Sequence, residues 1–428
     1  MRQSPVPSQC DGFVATQHMA GQYLLTGLPA NLLANGHGGG DMTFFGARRL
    51  ALLANSLSLL LLAASAAHAD SPHYVNDSSW PKPFAHHWVM GQIGGLAVDG
   101  HDRIWVLQRA LPYAVDEQGK KHNLAPASRM PAIMVFDTHG NVVKSWGGQG
   151  YVRDWPKSEH ALWVDAQDNV WIGGNAPGDR QVLKFTADGR QLLEIGRPTN
   201  AARNNADTSM LGEPAGIEVD SAAREVYVSD GYLNSRVVVY DSDTGKFKRG
   251  WGAYGIALDA IANPPEPTAA STLGHYVREG PDYVPGEAPE KQFRTPVHCV
   301  HLSADGYVYV CDRRNDRIQV FTRQGKFVRE FLVHRETKGN GSVWTLSFSH
   351  DRQQQYLIIG DGVNQRAWVL RRQDGAEVSS FGQGYLFYVH QAALDSKGNY
   401  YTGDVGGTEI PRGPSNGKPI QKFVLQPR

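Results

Sequence analysis

What most limits the fold of this 428-residue chain is an internal repeat. Segments of one pattern recur at spacings of roughly 40–60 residues, covering 95–147, 160–196, 216–252, 300–332, 346–382 and 392–425. Each copy reads as an apolar strand, an Asp or Ser with a Gly or Asn turn, a second strand, a polar turn, a third strand, a Gly turn and a fourth strand, which in most copies ends near Trp-Gly or Phe-Gly. Short alternating strands broken by such turns are antiparallel hairpins. Four strands in each of six copies predict an all-β fold, a six-bladed β-propeller. The last copy lacks a fourth strand of its own. Residues 83–91 (PFAHHWVMG) share the fourth-strand pattern and are expected to complete blade six, which would remove the exposed sheet edges.

Upstream of the repeats, residues 43–69 read as a secretory signal. Arg48 and Arg49 precede an apolar run from Leu50 to Ala66, and Ala67-His68-Ala69 offers a cleavage site before Asp70. Met42 stands where such a signal begins, so the Gly-rich stretch before it reads as an over-extended start. Asn55, Ser56 and Ser58 interrupt the apolar run, so no membrane span is expected after signal removal. The expected organisation is a targeting segment over 1–69 and one propeller over 70–428, exported to a periplasmic or secreted location and monomeric. Without residues 1–69 the chain is close to neutral, which argues against a nucleic-acid partner. Only Cys299 and Cys311 then remain, on the two strands of one predicted hairpin. Such a pair is bridged only if the two residues lie directly opposite each other, and the sequence by itself favours no bridge. Residues 110–130 and 253–291 are Pro- and Gly-bearing insertions that either shape a site at one face or are solvated loops.

Three histidines occupy one register position in alternate copies: His160 in HALWVD, His298 in HCVHLS and His390 in HQAALD. The intervening copies carry Gly94, Ala215 and Trp344 there. A single histidine on a strand is usually a satisfied structural residue, but packing gives no reason to select alternate blades. In a six-fold ring the three imidazoles converge on the axis, and three neutral imidazoles with an open fourth position are a catalytic zinc set. Copper and iron are the other metals such a set admits. His86, His87, His301 and His350 fall off this register and read as surface or core residues. Asp230, Asp312, Asp361 and Asp404 follow the second strand in four copies, and Asn-x-Arg recurs in three, so both belong to the architecture. Arg109 and Tyr232 follow the second strand of their copies without counterparts elsewhere. The residues alone favour the plainer reading, an arginine in solvent and a tyrosine packed on a neighbouring blade.

The Asp-x-x-Asn-x-Arg-Ile pattern resembles the NHL repeat. VSDGYLNSRVVVYDSDTGKFKRGWG and CDRRNDRIQVFTRQGKFVREF closely resemble peptidylglycine α-amidating lyase, with the likeness running through residues 83–428. That resemblance implies a zinc ion held by His160, His298 and His390, a catalytic Tyr232 and an active-site Arg109. It further implies a calcium ion on the axis, bound by the backbone carbonyls of Leu96 and Leu162. The third calcium ligand in that family is an aspartate, and here Gln391 stands in its place, which puts calcium in doubt. Leu233 stands where the family has a cysteine, so the family's disulfide pattern is not kept. The implied reaction cleaves the C–N bond of a peptidyl-α-hydroxyglycine-like carbinolamide to an amide and glyoxylate or a related aldehyde. The substrate is then a small molecule or a peptide, and the preceding hydroxylation is expected from another protein. The rival expectation is an exported NHL propeller that binds a protein or glycan without catalysis. A metal-dependent lactonase propeller would need Asp, Asn and Glu around calcium, which these histidines do not resemble.

Overall fold

A computed structural model describes residues 71–84, 88–115, 120–125, 128–263, 290–337, 339–406 and 418–427. The expected signal at 43–69 and most of the second insertion lie outside the described residues. The repeat folds as read: the described residues form six four-stranded antiparallel sheets. Blade 1 comprises Ile93–Val98, Ile104–Gln108, Ile133–Phe136 and Val142–Trp146. Blade 2 comprises Glu159–Val164, Val170–Gly174, Gln181–Phe185 and Gln191–Gly196, and blade 3 Gly216–Asp220, Glu225–Asp230, Arg236–Asp241 and Phe247–Trp251. Blade 4 holds Val297–Leu302, Tyr307–Asp312, Arg317–Thr322 and Phe327–Leu332, and blade 5 Thr345–Phe348, Tyr356–Asp361, Arg366–Arg371 and Glu377–Phe381. Blade 6 has Val389–Leu394, Tyr400–Asp404 and Ile420–Leu425 from the C-terminal end.

The second and third strands of each blade are buried almost throughout because neighbouring blades cover both of their faces. Fourth strands such as Val142–Trp146 and Gln191–Gly196 alternate toward solvent. The apolar core is accordingly divided among the blade interfaces. Trp105, Leu107 and Ile133 of blade 1 pack on Leu162, Ile172 and Leu183 of blade 2, and corresponding clusters fill the other interfaces.

The ring closes differently from the sequence expectation. Tyr74–Asn76, not the 83–91 stretch, supplies the outer strand of blade 6, with Tyr74 opposite Leu425 and Val75 opposite Val424. The physical reason is aromatic packing: the Tyr74 ring stacks on Phe381 at 4.4 Å and meets Tyr400 at 6.2 Å, sealing the interface with blade 5. The described part of 83–91 is not strand, and Phe84, Trp88 and Met90 instead fill the interface between blades 6 and 1. Cys299 and Cys311 are direct cross-strand partners in blade 4 and form a disulfide, which the sequence had not favoured. The described part of the first insertion carries a two-stranded ribbon, Tyr113–Val115 with Lys121–Asn123. Among the described residues no helix is long and apolar enough to cross a membrane.

Candidate metal centre

The recurrent acids do hold the blades. Asp230 accepts from Arg236 Nε at 2.8 Å and Asn234 Nδ2 at 2.9 Å, and Asp312 accepts from Arg317 Nε at 2.7 Å and Asn315 Nδ2 at 2.8 Å. Both ion pairs are fully buried. Blade 5 departs from this pattern: Asp361 takes Asn364 and Trp368 Nε1, while Arg366 turns to Ser380 and Gln383.

The three histidines sit at the start of the first strands of blades 2, 4 and 6, all buried. Each of these strands breaks register at that point, between His160 and Leu162, Val297 and Cys299, and Val389 and Gln391. A bulge bends the strand and re-aims one side chain, which here turns each imidazole inward. His160 Nε2 lies 2.9 Å from His390 Nε2, and His298 Nε2 lies 3.2 Å from His390 Nε2. The Tyr232 hydroxyl joins the cluster, 2.9 Å from His160 Nε2 and 3.2 Å from His298 Nε2.

The intervening blades decide which nitrogen faces the axis. His390 Nδ1 donates to Ile93 O of blade 1 at 2.8 Å, and His298 Nδ1 donates to Trp344 O of blade 5. His160 Nδ1 faces the Ala215 backbone of blade 3 without closing a hydrogen bond of normal geometry. A proton on Nδ1 leaves the lone pair on Nε2. The nitrogens of His298 and His390 therefore point lone pairs at each other 3.2 Å apart, with no proton to share. Protonation is no remedy. Burial, then the other two histidines and Arg109, hold His160 well below the usual imidazole range. Burial and Arg313 do the same for His298, and burial with Arg109 and Arg313 for His390. A metal cation is the partner that three converging neutral donors fit, and an all-imidazole set suits zinc.

Two arginines flank the cluster. Arg109 donates to Gln92 Oε1 at 2.7 Å, Asn175 Oδ1 at 3.0 Å and Glu159 O at 3.2 Å. All three acceptors are neutral, so the guanidinium keeps its charge. Glu159 O lies one residue before a zinc-candidate histidine, which ties Arg109 to the centre. Arg313 is buried, with its guanidinium 4.2 Å from the Trp344 ring centroid. The sequence reading missed Arg313. The signal was present, since Arg313 directly follows the second strand of blade 4 as Arg109 follows that of blade 1.

The residues proposed for calcium lie elsewhere. Leu96, Leu162 and Gln391 line an axial cavity of about 220 Å³. Its one lining carboxylate is Glu218, already engaged by His301 Nδ1 at 2.7 Å and Leu302 N at 3.0 Å. A calcium site wants six to eight oxygens with several charges, so this donor set fits the ion poorly. His301 is thus a paired wall residue, in keeping with its off-register position. A second grouping of possible ligands, Asp99, His101 and Asp168, is already bridged by Arg103.

No family model matches the chain. It is 25% identical over 354 residues to peptidyl-glycine alpha-amidating monooxygenase B of Xenopus laevis, spanning 79% of this chain but only 35% of the relative. Peptidyl-alpha-hydroxyglycine alpha-amidating lyase 1 of Drosophila melanogaster is 22% identical over 76% of this chain and 57% of its own length. NHL repeat-containing protein 3 of Mus musculus is 25% identical over 80% of this chain and 84% of its own. The chain thus spans about a third of the length of the first of these relatives. With six NHL-type blades and three histidines brought to one point, the chain is a distant relative of the peptidylglycine alpha-amidating enzymes and of the NHL-repeat proteins.

Proposed function

We propose that this protein is a zinc-dependent lyase that cleaves a peptidyl-α-hydroxyglycine-like carbinolamide to an amide and glyoxylate. One observation carries the reading: the Tyr232 hydroxyl stands within 3.2 Å of the metal-facing nitrogens of two of three converging histidines. His160, His298 and His390 would hold a zinc ion, which would supply Lewis acidity toward the substrate hydroxyl. Tyr232, as the phenolate, takes the proton from the substrate hydroxyl on Oη. As the C–O bond becomes C=O the C–N bond breaks, and the proton passes to the departing amide nitrogen. Arg109, its charge not neutralised by any carboxylate among its acceptors, binds the carboxylate that becomes glyoxylate. Arg313 acts as a fixed positive charge that favours the neutral, ligating form of His298 and His390.

A propeller that only binds partners leaves the facing lone pairs at the axis without a purpose. Export, with a small-molecule or peptide substrate, completes the proposal, and the Cys299–Cys311 bridge supports an oxidising compartment. The test is metal analysis of residues 70–428 together with glyoxylate release from an N-acyl-α-hydroxyglycine. Metal bound at the histidines and glyoxylate released would bear the proposal out. A folded, metal-free and inactive protein would leave a binding propeller.

A further inference from the structure

Beside the metal centre, between blades 1 and 2, lies a cavity of about 490 Å³. Arg109 forms part of its wall, and Arg129 and Lys157 also line it. These residues come from the loops after the second strand of blade 1 and before the first strand of blade 2, on the face that carries the histidines. The two acids nearby are engaged by hydrogen bonds of their own. Glu159 is buried and its carboxyl is held by Trp155 Nε1 at 2.8 Å. Asp179, buried beneath Lys157, spends its oxygens on the backbone N–H groups of Lys157, Ser158 and Ala176. Arg129 Nε is buried, yet it meets no acceptor among the described residues. Arg129 as a whole is half-buried, but an N–H that neither solvent nor an acceptor reaches is costly unless a ligand supplies the acceptor. Tyr151 and Met130 give the same cavity an apolar wall.

We propose that this cavity is a subsite for a second anionic group on the substrate, a carboxylate carried on a short apolar stem of the acyl portion. Resting on the lyase reading, the inference adds a substrate class: acidic N-acyl-α-hydroxyglycines, with one carboxylate at Arg109 and the other between Arg129 and Lys157. Charge-assisted hydrogen bonds to two cations make the second carboxylate worth at least about tenfold in affinity.

The experiment compares two unreactive analogues, N-succinylglycine and N-butyrylglycine, by calorimetric titration of the zinc-loaded chain at low salt. N-succinylglycine is expected to bind at least about tenfold more tightly. Arg129→Ala and Lys157→Ala should each narrow that gap, and Arg129→Lys should restore part of it, which separates charge from folding. Equal affinity for the two analogues, no binding of either, or a gap that survives both alanine variants overturns the subsite. Glyoxylate release from N-butyryl-α-hydroxyglycine is measured in parallel. Its absence counts against the lyase reading alone, because the affinity gap is read on analogues that do not react.

Discussion

Blades 2, 4 and 6 differ from blades 1, 3 and 5 at one register position, and the difference divides the work of the centre. The even blades present His160, His298 and His390, each aimed inward by a break in the first strand. The odd blades present Gly94, Ala215 and Trp344, whose neighbourhood turns backbone toward the Nδ1 atoms: Ile93 O to His390, Trp344 O to His298 and the Ala215 backbone to His160. One set of blades supplies lone pairs and the next set orients them. Blade 1 shares the strand break, between Ile93 and Gly95, but carries glycine instead of a ligand. The lesson is that the bulge alone does not make a site. It makes a place where either a side chain or a carbonyl can be turned to the axis.

Four experiments sharpen this contrast. The largest effect is expected from His298→Ala in an even blade. It should abolish zinc retention and lower glyoxylate release by several kcal/mol of barrier, roughly a thousandfold or more, checked by metal analysis beside the assay. Tyr232→Phe, in an odd blade, should reduce turnover by about a hundredfold while metal content stays at the wild-type level. Equal loss of metal and activity would instead make Tyr232 a structural residue. Gly94→Ala tests whether blade 1 must stay bare at this position. A Cβ there would stand 2.1 Å from Glu159 O, the carbonyl that accepts from Arg109. The expected cost is about 2 kcal/mol in denaturant unfolding, with KM raised through the displaced arginine.

The smallest effect concerns pH in the metal-free chain. The folded-state pKa values of all three histidines are lowered, so between those values and about 6.5 the unfolded chain binds protons that the folded one does not. Stability from these groups is present above about pH 6.5 and is lost as pH falls toward their folded values. The denaturation midpoint should therefore drop from about pH 7.5 to about pH 5, and less steeply in His298→Ala. An identical slope in the two proteins would mean that His298 titrates as freely folded as unfolded.

Much of this was legible in the residues, because a propeller is periodic and a periodic fold writes its register into the sequence. Equivalent positions can be compared inside one chain, which is how alternate histidines stand out and how Asp230 and Asp312 show themselves as architectural. Arg313 escaped because a neighbouring arginine, Arg314, and the Asn-x-Arg pattern made the stretch read as repeat. The closing strand was misplaced for a related reason: three residues at 74–76 have too little pattern to be distinguished from 83–91. Their position is fixed by the Tyr74 ring against Phe381, a contact between opposite ends of the chain. The disulfide needed the register of one hairpin to the residue, which turn patterns do not give.

The sequence by itself therefore determined the six blades, their strands apart from the closing one, and the three candidate metal ligands, since each follows from local alternation and from comparison of one copy with another. Only the tertiary structure decided how near the histidine nitrogens come, which nitrogen faces the axis, and that Tyr232, Arg109 and Arg313 surround them. Those facts depend on the closure of the ring and on backbone carbonyls lent by neighbouring blades. A carbonyl carries no side-chain identity, so the sequence cannot announce which one a histidine will meet.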